Sequence, residues 1–171
     1  MFAIACIAAA LLASPGYLLL AAGGILAQVS SVVDGCDGEV ARLKFGASEF
    51  GGWFDAVLDR YADAFILLAL TWHALYTNPA TICLAAGFAA VTGSFLNSYT
   101  ADKYDQLMLE RVSGAFRIGR DIRIFIVLSG ALLDQALGAL WSIALLMNAD
   151  VVRRIYLCYV AADQSSAKPL R

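Results

Sequence analysis

Positive charge is spread so unevenly along this chain that it dictates the fold class before any motif is read. The 12 Lys and Arg lie at 42–44, at 60, between 103 and 123 and between 153 and 171, leaving 1–41, 61–102 and 124–152 without a cation. The cation-free stretches are mostly apolar. Of all residues 61% are hydrophobic and 15% charged, whereas a water-soluble domain carries roughly a quarter charged residues. A soluble globular domain is excluded, and no nucleic-acid partner is expected. A membrane-crossing helix needs about 20 residues, so the 171 residues predict an all-α integral membrane protein, a bundle of about six transmembrane helices. One transmembrane domain, residues 1–163, is expected, with a polar cytoplasmic tail at 164–171.

Apolar runs at 2–14, 17–33, 61–77, 80–100, 122–133 and 136–152 are separated alternately by basic connections and by uncharged or weakly acidic turns. The positive-inside bias predicts that Arg42 to Ser48, Lys103 to Arg123 and the C-terminus face the cytoplasm. The turns Ser14-Pro15-Gly16, Asn78-Pro79 and Asp134-Gln135 then face outward. The first run reaches only about 20 Å at 1.5 Å per residue, short of a hydrocarbon core of about 30 Å. It reads as a truncated first helix, the tail of one whose start lies elsewhere. Cys6, Cys36, Cys83 and Cys158 have no CxxC pairing and read as small hydrophobes. His73 lies fourteen residues beyond Asp59, about 21 Å along a continuous helix, and so belongs near the outer face.

The informative segment is Asp34 to Asp63, where acidic residues are set into lipid-compatible helices. A carboxylate inside a bilayer is costly unless paired, hydrated or metal-bound, so a group of them marks a functional site. Asp34 and Asp37 are i, i+3 near the end of the second helix. Asp55 and Asp59 are i, i+4 near the start of the third, so each pair points along one helix face. A short reversal makes the two helices antiparallel neighbours and brings four carboxylates to one cavity. Arg42, Lys44 and Arg60 are too few to neutralise it. Hard divalent cations prefer oxygen ligands, which predicts Mg²⁺ or Mn²⁺, as a pair of ions. Gly38 and Ala41 lie on the carboxylate side and leave room for a substrate, although small residues also serve close helix packing.

Read as a string, the segment is Asp34-x2-Asp37-Gly38-x2-Ala41-Arg42-x8-Gly51-x3-Asp55-x3-Asp59. It closely resembles the signature of the CDP-alcohol phosphotransferase (phosphatidyltransferase) family, which is similar in having six transmembrane helices with the signature on the second and third. The chain departs from that pattern at its N-terminus, which lacks the polar Pro-Asn segment that enters the family's first helix. By this resemblance Asp34, Asp37 and Asp55 are metal ligands. Asp59 is a ligand of the second ion and the catalytic proton acceptor. Gly38, Ala41, Arg42 and Ser48 match the nucleotide-binding positions. The implied reaction moves a phospho-alcohol from a CDP-alcohol donor to the hydroxyl of an acceptor, releasing CMP, with the site on the cytoplasmic side.

The runs Val33 to Lys44, Trp53 to Asp55 and Leu58 to Asp63 look most like the branch that makes di-myo-inositol phosphate phosphate from CDP-inositol and inositol phosphate. There the transferase often follows a cytidylyltransferase domain, so a fused or separate cytidylyltransferase is an implied partner. Membrane lipids and a second copy of the chain are further candidate partners. A phosphorylated acceptor would need cations, and Arg117, Arg120, Arg123, Arg153 and Arg154 lie at helix ends near the predicted depth of the aspartates. Their competing role is to anchor topology or bind anionic lipid. The alternative donor is CDP-diacylglycerol, as in a phosphatidylinositol-phosphate or phosphatidylglycerol-phosphate synthase. An ion-coupled transporter also buries carboxylates, but near the midplane and often within inverted repeats, which this chain does not display.

Overall fold

The computed structural model describes residues 1–43, 49–108 and 119–166, and the side chains of 1–35, 50–101 and 119–160. The described residues form six helices and no strand: α1 (Phe2–Leu12), α2 (Tyr17–Leu43), α3 (Glu49–Ala74), α4 (Ala80–Met108), α5 (Arg120–Leu132) and α6 (Ala136–Ser166). The expected all-α architecture is what the chain adopts. Three helices contain stretches long and apolar enough to cross a membrane, Tyr17–Gly35, Ala80–Ala101 and Ala136–Val160. The 26-residue α3 is also long, but residues 49–63 of it include Glu49, Asp55, Asp59, Arg60 and Asp63. The 11-residue α1 and 13-residue α5 reach only about 16–20 Å.

Packing closes the helices into a ring in the order α1, α2, α5, α6, α4, α3, with α3 also touching α6 across it. This corrects one expectation. The two acidic helices are not packed side by side, because α1 lies between them. Its buried face is Ala5, Ala8, Ala9 and Leu12, small enough for both α2 and α3 to approach. The antiparallel sense of α2 and α3 is as expected. Near one end of the bundle His73 Nδ1 lies 3.0 Å from the Ser14 carbonyl oxygen. That end also carries the Asn78-Pro79 and Asp134-Gln135 turns, and Tyr17 donates there to the Leu132 carbonyl at 3.1 Å. Gly16 and Asp134 adopt positive φ, 105° and 54°, which lets the chain reverse within four and three residues respectively. His73 is thus remote from the acidic residues.

Lipid tails are as apolar as Leu, so helix association in a membrane depends on close packing through small residues. The interior follows that rule, with Ala62, Leu70, Cys83, Ala86, Ala90, Ala131 and Ile143 all buried. Where α2 meets α5, a Cβ on Gly24 would fall 2.6 Å from the Ala131 Cβ. Gly93 of α4 faces the Asn148 side chain of α6 in the same way. Asn148 itself donates to the Ala89 and Ala144 carbonyls at 3.1 and 2.7 Å. Cys6, Cys83 and Cys158 form no disulfide.

Gly24→Leu should therefore force α2 and α5 apart, at a cost of about 1–3 kcal/mol. Gly138→Ala, whose nearest neighbour would be 3.8 Å away, should be neutral or add up to about 1 kcal/mol of stability through helix propensity. Reversible unfolding in mixed micelles measures both, and equal effects would refute the tight α2–α5 seam.

Candidate active site

At the end of the ring opposite those turns, α2, α3 and α5 turn polar residues toward one another. On α3 the stripe Asp55, Asp59, Asp63 repeats every four residues, so the three carboxylates climb one face at about 40° per step. On α2, Asp34 leads into Asp37, Gly38, Ala41 and Arg42. These continue the same helix to Leu43, but their side chains lie outside those described. Ser48 and Arg117 fall outside the described residues altogether. Carboxylate oxygens of Asp34, Asp55 and Asp59 come within 4.8 Å of one another. The convergence expected of the acidic pairs is therefore present for these three, across the gap that α1 maintains.

Arg120, at the start of α5, spans this cluster. Its Nη1 donates to Asp34 Oδ2 at 2.7 Å and to Asp59 Oδ1 at 2.6 Å. Its Nε lies 3.3 Å from Asp63 Oδ1, close enough for an ion pair but without hydrogen-bond geometry. Asp63 is the deepest acid of this cluster, 3% exposed. Its Oδ2 accepts from Arg123 Nη2 at 2.8 Å, and the half-exposed Arg60 lies 3.6 Å away. Arg123 also donates to Ser94, both to the carbonyl at 3.1 Å and to the hydroxyl. Beside this group Ser31 of α2 donates to Asp121 of α5 at 3.1 Å.

A second buried network joins α4 to α6. Asp150, whose side chain is fully buried, accepts from Arg154 at 2.6 Å, Arg153 at 2.6 Å and Asn97 at 3.1 Å. Arg154 is itself 4% exposed and donates to the Asn97 carbonyl at 2.7 Å. Arg153 keeps 46% of its side chain exposed. The five arginines considered for an acceptor phosphate thus have distinct settings. Arg120 faces the carboxylates, Arg123 and Arg154 are buried in ion pairs, Arg153 is half-exposed, and Arg117 is not described. Asp63, Ser94, Asn97 and Asp150 were not singled out from the sequence as site residues. The α3 stripe was a signal for Asp63. Asp150, lying i, i+3 and i, i+4 from Arg153 and Arg154, offered one as well.

The donor set fits a hard divalent cation. Three carboxylates supply only oxygen, at spacings that one or two ions can bridge. Against four acids, Asp34, Asp55, Asp59 and Asp63, the described cluster sets three cations, Arg60, Arg120 and Arg123, and so is net negative. Asp55, exposed, has no cationic partner among the described residues.

A family model described as CDP-alcohol phosphatidyltransferase matches residues 1–152, and the chain belongs to that family. It is 40% identical over 156 residues to a "Bifunctional IPC transferase and DIPP synthase" of Rubrobacter xylanophilus, covering 90% of this chain and 34% of the relative. A protein of the same description from Aquifex aeolicus is 36% identical, over 84% of this chain and 34% of its own length. The chain therefore spans about a third of those two relatives. An "Archaetidylinositol phosphate synthase" of Methanothermobacter thermautotrophicus is 34% identical over 77% of this chain and 62% of that protein.

Removing one partner of a buried ion pair strands the other, a loss of about 3–5 kcal/mol. Asp150→Ala should lose that much in micelle unfolding because it orphans Arg154. Arg153→Ala, at a half-exposed position, should lose less than about 1 kcal/mol. A mild effect of Asp150→Ala would mean the network carries little of the fold.

Proposed function

We propose that this member of the CDP-alcohol phosphatidyltransferase family transfers a phospho-alcohol group from a CDP-alcohol to an acceptor hydroxyl and releases CMP. The observation that carries the reading is the meeting of Asp34, Asp55 and Asp59 within 4.8 Å, from signature positions on two separate helices. In this reading Asp34, Asp37 and Asp55 hold divalent metal, with Asp59 a ligand of a second ion. Bound Mg²⁺ or Mn²⁺ would offset charge on the donor pyrophosphate and on the departing CMP. Arg42 binds the pyrophosphate beside Gly38, Ala41 and Ser48, the small residues leaving space for the nucleotide. The acceptor oxygen attacks the phosphorus that bears the donor alcohol. The bond from that phosphorus to the CMP oxygen breaks, and the acceptor proton passes to Asp59.

The donor we favour is CDP-inositol and the acceptor an inositol phosphate, in keeping with the first two relatives' printed names. A cytidylyltransferase, fused or separate, would supply that donor. For the acceptor phosphate, Arg120 and Arg153 are the reachable members of the arginine set, with Arg123 and Arg154 positioning their surroundings through Asp63 and Asp150. One domain, residues 1–163, would contain the whole site, with 164–171 as a tail on the cytoplasmic side and a second copy as a candidate partner. One observation favours a lipid donor instead. An apolar groove of about 230 Å³ on α2 and α5 is lined by Ile25, Gln28, Val29, Val32, Val33 and Leu128, and Val33 precedes Asp34 in the chain. An acyl chain of CDP-diacylglycerol would fit there.

CMP release from purified protein offered both donors decides between them, and preference for CDP-diacylglycerol would overturn the inositol assignment. Asp34→Asn, Asp55→Asn and Asp59→Asn should each lower kcat/KM by at least about 100-fold, and chelation should abolish turnover. Near-normal rates would dismiss the metal reading. Arg153→Ala should raise the acceptor KM about tenfold and leave donor KM unchanged. No change would return Arg153 to the role of a topology anchor.

Orientation is tested separately. Cysteines introduced at Asn78 or Gln135, in a background lacking the native four, should react from outside with an impermeant thiol reagent. Reaction at Ser48 or Gln106 instead would invert the orientation.

A further inference from the structure

Arg120 holds the same oxygens that a metal ion would need. One nitrogen, Nη1, bonds Asp34 Oδ2 and Asp59 Oδ1 at 2.7 and 2.6 Å, joining two of the three carboxylates that approach within 4.8 Å. A divalent ion bound to those two oxygens at about 2.1 Å would be pressed against a like-charged guanidinium. The two cations therefore compete. Without either, the carboxylates would repel one another in a partly buried site, so the arrangement needs a positive charge at all times.

A second observation locates the arginine's alternative position. Asp63 Oδ1 and Arg120 Nε are both buried and lack hydrogen-bond partners, although they lie 3.3 Å apart. They are joined by charge alone, and a buried donor and acceptor without a hydrogen bond are costly and seldom left so in native structures; Arg123 Nε is in the same state. Asp63 Oδ2 is already held by Arg123 at 2.8 Å, which fixes the carboxylate and leaves Oδ1 turned to Arg120. Asp63 sits one helical turn from Asp59, about 6 Å along α3, within the swing of an arginine side chain.

We propose that Arg120 is a two-position residue: it neutralises Asp34 and Asp59 in the metal-free protein and withdraws onto Asp63 when divalent ions take those carboxylates. The inference rests on the metal-dependent reading of the site. It makes Arg120 a built-in competitor that lowers apparent metal affinity by the fraction of time the carboxylates are free. Asp63 is then a positioning residue, which sets that fraction by offering the guanidinium somewhere to go. The pairing also protects the site from collapse or repulsion between turnovers.

Mn²⁺ binding to the purified, EDTA-treated full chain tests this, with free Mn²⁺ read by electron paramagnetic resonance. Arg120→Gln should bind Mn²⁺ on the order of tenfold more tightly than wild type. Asp63→Asn, which keeps shape but loses the charge that receives Arg120, should bind several-fold more weakly. The double variant should match Arg120→Gln, because Asp63 acts only through the arginine. Should either variant fail to fold, Arg120→Lys still decides the matter. A lysine carries one compact charge and cannot span three carboxylates, so its Mn²⁺ affinity and Mn²⁺-induced rise in Tm should both exceed wild type. Unchanged or weaker binding in the Arg120 variants would overturn the proposal. An equal loss from Asp63→Asn with and without Arg120 would overturn the withdrawal. If wild type bound no Mn²⁺, or Asp55→Asn bound it normally, the metal site itself would be at fault, a result distinct from these.

Discussion

The ion pair between Asp63 and Arg123, closed by Ser94, is the interaction around which one end of this bundle is arranged. Both side chains are nearly inaccessible, and a charge in that position has no water to fall back on. Each therefore requires the other, and each brings a helix with it: Asp63 from α3, Arg123 from α5 and Ser94 from α4. With those three fixed, Arg120 is carried one turn along α5 to the mouth of the site. Asp59 and Asp55 follow one and two turns along α3. The positions of the reactive carboxylates thus follow from a buried pair that touches neither substrate nor metal in the proposed reaction.

The rest of the bundle solves a different problem. Toward the turns the helices meet through Ala and Gly, with dispersion and close approach doing what hydrophobic exclusion cannot do in lipid. Toward the charged end they meet through hydrogen-bonded ions. Asp150 pairs with Arg154 as Asp63 pairs with Arg123; Asn97 binds both members of its pair, Ser94 binds the arginine of the other, and the two α4 residues lie i, i+3 on one face. The stripe on α4 thus links two ionic layers, one leading to α3 and α5 and the other to α6. Such an arrangement gives the charged end rigidity.

Much of this was legible in sequence because charge in a membrane helix is rare and so informative. The spacing of Asp34, Asp55 and Asp59 foretold their meeting, and the cation-free runs foretold the helices. The placement of α1 between α2 and α3 was not legible. A buried Ala face reads the same whether it contacts one helix or two, and nothing in the spacing of Ala5, Ala8 and Leu12 distinguishes the cases. The separate settings of the arginines were hidden for a related reason. Helical spacing gives only the angle at which each arginine leaves its helix. It could not show that flexible side chains let both Arg153 and Arg154 reach Asp150, or that Arg123 is consumed by Asp63 while Arg120 is not.

That difference between two arginines three residues apart bears on why guanidinium groups, not ammonium groups, occupy these positions. Arg123 presents Nη2 to a carboxylate and Nη1 to a hydroxyl and a carbonyl at once, a geometry that a planar fork can meet and a point charge cannot. Arg120 uses the same fork across carboxylates on two different helices, with Nη1 on Asp34 and Asp59 and Nε toward Asp63. Arg123 is the more deeply set of the two, with 5% of its side chain exposed. Arg120 is shallower, 15% exposed, and faces carboxylates on two helices, conditions under which a side chain can change partners without the helix moving. The fold therefore separates the two tasks by depth. The deeper cation builds the site, and the shallower one can respond to whatever charge arrives in it.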